Sequence, residues 1–179
     1  MRRALVPGAS ESPEEKLERW MKEYGDAVLH TCFVCLSDAH LAEDAMQDTF
    51  VKAWRSMKRF VNRGGGSEKA WLMRIAVNTC RDYRRSIWFR RINLHGEMDR
   101  LPPAAIAVSD EERETFLDVM RLPENLRQVI LMRYDQNMTI REMGEALGLT
   151  ASSVHHRLKK AEKALRMTLE GRDGHETQS

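Results

Sequence analysis

The chain has 179 residues, 42% of them apolar and 31% charged, with a formal net charge of +2. That apolar share can bury a core in one domain or two small ones, which excludes a wholly disordered chain. No run approaches the ~18 apolar residues of a membrane span, and the opening MRRALVPGASESPEE is too poor in apolar residues for a signal peptide. A cytoplasmic location without membrane insertion is therefore expected. Cys32, Cys35 and Cys80 are odd in number and form no disulfide framework, as expected in a reducing compartment.

Helical spacing dominates, and no alternating apolar and polar run is long enough for a strand, so the expected fold class is all-α. Residues 14–36 place Leu17, Trp20, Met21, Tyr24, Val28, Thr31, Cys32 and Cys35 on one inward stripe. Asp38 can cap a second helix that turns Ala42, Ala45, Met46, Thr49, Phe50, Ala53, Trp54 and Met57 inward. NRGGGS breaks the pattern. Ser67 then starts a third helix, buried through Trp71, Leu72, Ile75, Ala76, Cys80 and Tyr83.

INLHGEMDRLPPAAIAVSD has the prolines, glycine and small residues of a flexible linker. Ser109 with Glu112 reads as a capping box, opening a helix through Phe116, Leu117 and Met120. Pro123 suits a first helical turn, and the helix after it runs inward through Leu126, Val129, Ile130 and Tyr134. Thr139 with Glu142 is a second capping box, Gly148 closes the short helix it opens, and a last helix carries Val154, Leu158, Ala161 and Leu165 inward. The expected organisation is two small helical domains, an N-terminal bundle at 14–87 and a C-terminal helix-turn-helix at 109–170, joined by a linker at 88–108. Tails at 1–13 and 171–179 are expected to be disordered.

Charge is segregated along the chain. Between Asp38 and Asp48 every charged residue is acidic. From Arg63 to Arg91 eight basic residues stand against Glu68 and Asp82, and the segment after it, to Met120, reverses the sign. From Thr139 to Arg172 the balance is basic again. Two basic modules separated by an acidic connector suggest two contacts with one polyanion.

Gly144, Gly148 and Val154 have the spacing of a helix-turn-helix: a small residue where the helices cross, a turn glycine and an apolar anchor. Ser152, His156, Lys159, Lys160 and Lys163 then face outward, flanked by Ser153, His155 and Arg157, as a groove-entering helix requires. Adjacent helical histidines diverge by about 100°, so His155 and His156 make a poor metal pair. Arg74, Asn78, Arg81 and Arg85, with Arg84 beside them, form a second basic face on the third helix, next to a glycine loop that could admit an unstacked base. On the second helix Asp44, Gln47 and Asp48, with Lys52 one turn on, form an acidic outer face suited to a basic protein partner. CFVC lies within an amphipathic stripe and lacks a second cysteine pair, so it reads as core. No cofactor, metal site or catalytic residue is expected.

Three stretches in order, LAEDAMQDTFVKAW, AWLMRIAVNTCRDYRR, and LPENLRQVILMRY through ALGLTASSVHHRLKKAEKALR, resemble bacterial sigma factors of the extracytoplasmic-function (ECF) group of the sigma-70 family. The resemblance implies a transcription initiation factor, without catalysis of its own, that serves a stress or envelope response. Asp44, Gln47, Asp48 and Lys52 would bind core RNA polymerase. Asn62, Arg74, Asn78, Arg81 and Arg84 would handle the minus-ten element of promoter DNA, and Ser152, Ser153, His155, His156, Arg157, Lys159 and Lys160 would face the minus-35 element. An anti-sigma factor is a further partner implied by the resemblance alone. A stand-alone helix-turn-helix repressor, and more remotely a small metal or redox protein using Cys32 and Cys35, are the alternative readings.

Overall fold

A computed structural model describes residues 11–62, 67–89 and 110–176. Among them every regular element is helical, in agreement with the all-α expectation. The glycine loop at 63–66, Ser109 and residues 90–108 of the expected linker lie outside the described residues, as does the side chain of Asn62.

Helix α1 spans Pro13–Leu36. Ser12 and Glu15 satisfy each other's backbone amides in a capping box, and Pro13 occupies a position where no amide donor is needed. Ser37, at φ 56°, stops the helix in the left-handed conformation. Asp38 Oδ1 then accepts the Leu41 amide at 2.9 Å and starts α2, Ala39–Asn62. Ser67 caps α3, Glu68–Phe89, through the Ala70 amide at 3.2 Å. The helix therefore runs two residues beyond the expected end of the first domain.

The three helices pack around Trp20, Phe60 and Trp71, whose rings lie 4.7–6.1 Å apart. Trp20 has no exposed surface, and truncating such a residue to alanine costs about 3–5 kcal/mol. Polar fastening reinforces the cluster. Glu68, in the first turn of α3, accepts Arg19 at 2.8 and 3.1 Å and Lys16 at 3.0 Å. The Arg19 hydrogen bonds in particular hold the Glu68 carboxyl down at about 2.

Helix α4, Asp110–Arg121, leads to α5, Glu124–Ile130, with Pro123 as its N-cap. A π-helical turn, Leu131–Asp135, continues α5. Thr139 and Glu142 cap α6, Ile140–Leu147, and Gly148 ends it at φ 68°. Helix α7 covers Ala151–Glu176, so residues 171–176 are helical where a disordered tail is expected. Glycine in a helix costs only about 1 kcal/mol relative to alanine, and Gly171 and Gly174 do not stop this one.

Three residues expected inside lie at the surface. Met21 is 51% exposed, Trp54 38% and Tyr134 60%. For Tyr134 the cause is the π turn, whose wider spacing rotates the side chain out of the stripe that Leu126 and Ile130 follow. Conversely, Met73 and Val77 are buried although the α3 stripe omitted them. Helix α6 packs on α3 in addition to α1 and α2, so α3 is covered beyond the one stripe the sequence suggests.

Candidate polymerase and promoter interfaces

Three surfaces carry the expected site residues. On α2, Ala42, Ala45, Thr49 and Ala53 are fully buried, which turns Asp44, Gln47 and Asp48 together into solvent. Asp48 Oδ2 accepts the Tyr83 hydroxyl at 2.8 Å, which fixes one carboxylate of the face. Burial first, and that hydrogen bond second, push the Tyr83 phenol up to about 12, so it remains a donor throughout the physiological range. Lys52 turns away from the acidic face: its Nζ donates to Asp82 at 3.1 Å and to Thr79 at 3.2 Å, tying α2 to α3.

Beside this face runs an apolar groove of about 630 Å³ between α1 and α2, lined by Leu17, Met21, Leu29, Phe50, Val51 and Trp54, with Gly25 in its floor and Gln47 at its edge. Sequence reasoning missed it by assigning Met21 and Trp54 to the core. The signal was present: Leu17, Met21, Gly25 and Leu29 recur every four residues, a second stripe beside that of Trp20, Val28 and Cys32. An apolar arc that wide exceeds what one neighbouring helix covers.

On α3, Arg74, Asn78, Arg81, Arg84 and Arg85 are all exposed. Arg81 donates to Asn78 Oδ1 at 2.9 Å, which pairs the guanidinium and the amide as a unit. Arg84 forms an ion pair with Glu124 of α5. The Asn62 side chain and the loop after it lie outside the described residues.

The third surface is the α6–α7 pair. A Cβ on Gly144 would lie 2.8 Å from the Leu149 carbonyl oxygen, so only glycine lets the turn pass this close. Thr150, which the sequence reading did not single out, caps α7 by accepting the Ser153 amide at 3.2 Å. Val154 and Ala161 are fully buried, and Leu158 nearly so. Ser152, Ser153, His155, His156, Lys159, Lys160 and Lys163 are exposed, while Arg157 is half-buried. Thr150 also donates to the Ser153 hydroxyl at 3.0 Å, leaving that oxygen less free than its neighbours. Tyr134 reaches across to donate to Glu162 at 2.7 Å, which stitches the π turn to α7.

Cys32, Cys35 and Cys80 are free and buried, and the hydrogen bond with Cys32, seconded by burial and opposed by the one with Cys35, raises the Cys80 thiol far above its ordinary value. Among the described residues no group of three His, Cys, Asp or Glu side chains could hold a metal ion.

A helical bundle with an acidic, partly apolar face and a basic face, followed by a helix-turn-helix, is the layout of a DNA-binding protein of the helix-turn-helix class. Residues 20–90 match the family Sigma-70 region 2 and residues 119–165 match Sigma-70, region 4, together more than half of the chain. The chain belongs to the sigma-70 family of RNA polymerase sigma factors, and it directs promoter-specific transcription initiation. Its relatives place it in the ECF group. The ECF RNA polymerase sigma factor SigW of Bacillus subtilis is 27% identical over 161 residues, covering 82% of this chain and 84% of the relative. SigL of Mycobacterium tuberculosis is 28% identical over 173 residues, covering 93% and 96%. Among solved structures, the sigma factor RpoE in complex with the anti-sigma factor NepR from Bartonella quintana superposes with a TM-score of 0.71 at 20% identity, covering 87% and 98%. CnrH in complex with the cytosolic domain of CnrY gives 0.65 at 24% identity, covering 88% and 90%. These two likenesses concern the fold.

Proposed function

We propose that the three surfaces divide the work of initiation. Asp44, Gln47 and Asp48, with the adjoining groove, bind the core polymerase, and Lys52 supports that face from the α3 side. Arg74, Asn78, Arg81 and Arg84, with Asn62, engage the minus-ten element as it opens. Ser152, Ser153, His155, His156, Arg157, Lys159 and Lys160 read and grip the minus-35 element. The working division is 14–87, 88–108 and 109–170. The protein acts in the cytoplasm, in a stress or envelope response, without catalysis of its own and without a cofactor, and an anti-sigma protein restrains it.

The observation that carries this reading is the acidic face lying next to an apolar groove on the module that also bears the basic α3 face. A stand-alone repressor has no use for the first pair of features. Fragmented genomic DNA transcribed by purified core polymerase, with and without this chain, tests the reading directly. Specific run-off transcripts only in its presence are expected; transcripts no different from those of core alone would refute it.

A further inference from the structure

Three of the five large apolar residues exposed among the described ones, Met21, Val51 and Trp54, meet in the groove between α1 and α2. Apolar residues scattered singly over a surface are ordinary, but a patch gathered in one place marks a site that something covers. The groove also has a direction. Only Ser37 and Asp38 separate the two helices, so they run antiparallel, with Leu17 and Trp54 at one end and Leu29 and Met46 at the other. Charge at the first end is mixed, Glu14 and Glu18 standing with Arg55 and Lys58. At the second end the exposed charged residues Asp26, Glu43 and Asp44 are all acidic. An occupant that fits brings apolar side chains to the middle and cations to that acidic end.

Residues 1–10 of the chain, MRRALVPGAS, have that composition in that order. Arg2 and Arg3 come first, Leu5 and Val6 follow, small residues and Pro7 make up the rest, and no acidic residue occurs. Proline favours the extended backbone that a narrow groove accepts. The segment also starts from a fixed point. Glu11 is held by Arg19 at 2.8 and 3.2 Å, on the side of α1 where Arg19 reaches Glu68 of α3.

The reach is sufficient. From Glu11, Met21 lies roughly 15 Å along α1 and about 10 Å around its girth, a separation of about 18 Å. Leu5 stands six residues before Glu11 and extends up to about 20 Å from it. Asp26 lies about 25 Å from Glu11 by the same measure, and Arg2 extends up to about 30 Å. Tethered this closely, the segment meets the groove at about millimolar effective concentration, so a modest intrinsic affinity suffices. We infer that residues 1–10 of this chain lie in the α1–α2 groove, Leu5 and Val6 against Met21 and its apolar neighbours and Arg2 and Arg3 toward Asp26 and Asp44, and shield it until core polymerase displaces them. The displacement rests on the polymerase reading of the α2 face, while the docking rests on the groove and the segment alone.

A nitroxide on Ala4→Cys tests the docking in the full free chain, and the native cysteines, buried to 4% exposure or less, stay unlabelled. The Gly25 amide and Met21 methyl signals should broaden, and adding Arg3→Glu with Leu5→Asp should sharpen them again. Broadening that is absent, or unchanged by that pair of substitutions, overturns the inference. Broadening carried at equal strength from labelled chains to separate isotope-enriched, unlabelled ones also overturns it, because a second copy then fills the groove. Displacement is read as affinity for core polymerase. Arg3→Glu with Leu5→Asp should tighten it about threefold, the factor expected of a groove covered two-thirds of the time. An unchanged affinity, in a comparison where Asp44→Lys with Asp48→Lys does weaken binding, overturns the shielding. If neither pair alters the affinity while the signals broaden, the docking is supported and the polymerase reading of the face falls instead.

Discussion

One substitution, glycine to alanine, should give three different results at three positions, and the structure sets the order. At Gly144 the new Cβ lies 2.8 Å from the Leu149 carbonyl oxygen, a backbone atom that cannot swing aside, so α6 and the turn must part by about 0.5 Å. Such overpacking costs about 1–3 kcal/mol, partly offset by the ~0.4–1 kcal/mol that alanine gains by restricting the unfolded chain. The net is a loss of about 1–2 kcal/mol, or roughly 2–8 °C in Tm for a protein of this size. At Gly148 no atom stands within 4 Å, but φ is +68°, so alanine is strained by about 1 kcal/mol. At Gly25 the space is open and the backbone is helical, so alanine should stabilise by about 0.5–1 kcal/mol. Thermal unfolding followed by circular dichroism measures all three, and affinity for a minus-35 duplex should fall for Gly144→Ala, because the displaced turn sets the pose of α7. A Gly144→Ala protein as stable as the unsubstituted chain would refute the close crossing of α6 and α7.

Reversal of Asp44 and Asp48 to lysine should weaken binding to core polymerase by about 1 kcal/mol per charge or more at unchanged helicity, read by competition for core against a labelled sigma factor; unaltered competition rejects that face. Lys160→Ala should weaken duplex binding across sequences and reduce its salt dependence by about one counterion, whereas His156→Ala should relax selectivity at one or two base pairs by about 1–3 kcal/mol, as seen in sites selected from a randomised upstream library. The hydrogen bond that His30 Nδ1 donates to the Asp135 carboxylate, aided by the charges of Asp135 and Asp26, raises His30 above the ordinary imidazole value of 6.5, against the opposing effect of burial. A raised folded-state value means that the His30 contribution to stability is fully present below 6.5 and is lost as pH rises through the raised value. The stability advantage of the unsubstituted protein over His30→Gln, read as the difference in Tm, should therefore shrink as pH rises above 6.5, and a difference independent of pH would refute the pairing.

Local chemistry was legible in the sequence wherever one element decides the outcome by itself. The capping box at Thr139 pairs groups three residues apart and forms as expected, whereas the one at Ser12 went unread and starts α1 inside what had been expected as a disordered tail. Gly148 ends α6 because the left-handed conformation suits few other residues, and Val154, Leu158 and Ala161 fall inward because helical spacing leaves them no other face. The exposed Asp44, Gln47 and Asp48, and the exposed Arg74, Asn78 and Arg81, follow from the same periodicity.

What only the tertiary structure decided is which neighbours each face meets. An apolar residue is buried when something covers it, and helical spacing does not name the cover. Met21 and Trp54 stay exposed because α1 and α2 leave a groove between them, whereas Met73 and Val77 are buried because α6, 60 or more residues later in sequence, packs on α3. Tyr134 turned outward through a π turn that no local motif announced, and that same turn brings Gln136 into the contact with Thr31 and Ala27. The packing of the two modules depends on pairs from 40 residues apart, Arg84 with Glu124, to more than 100, Gln136 with Thr31. One sequence records the members of such a pair but not their meeting, because each member alone reads as an ordinary polar residue.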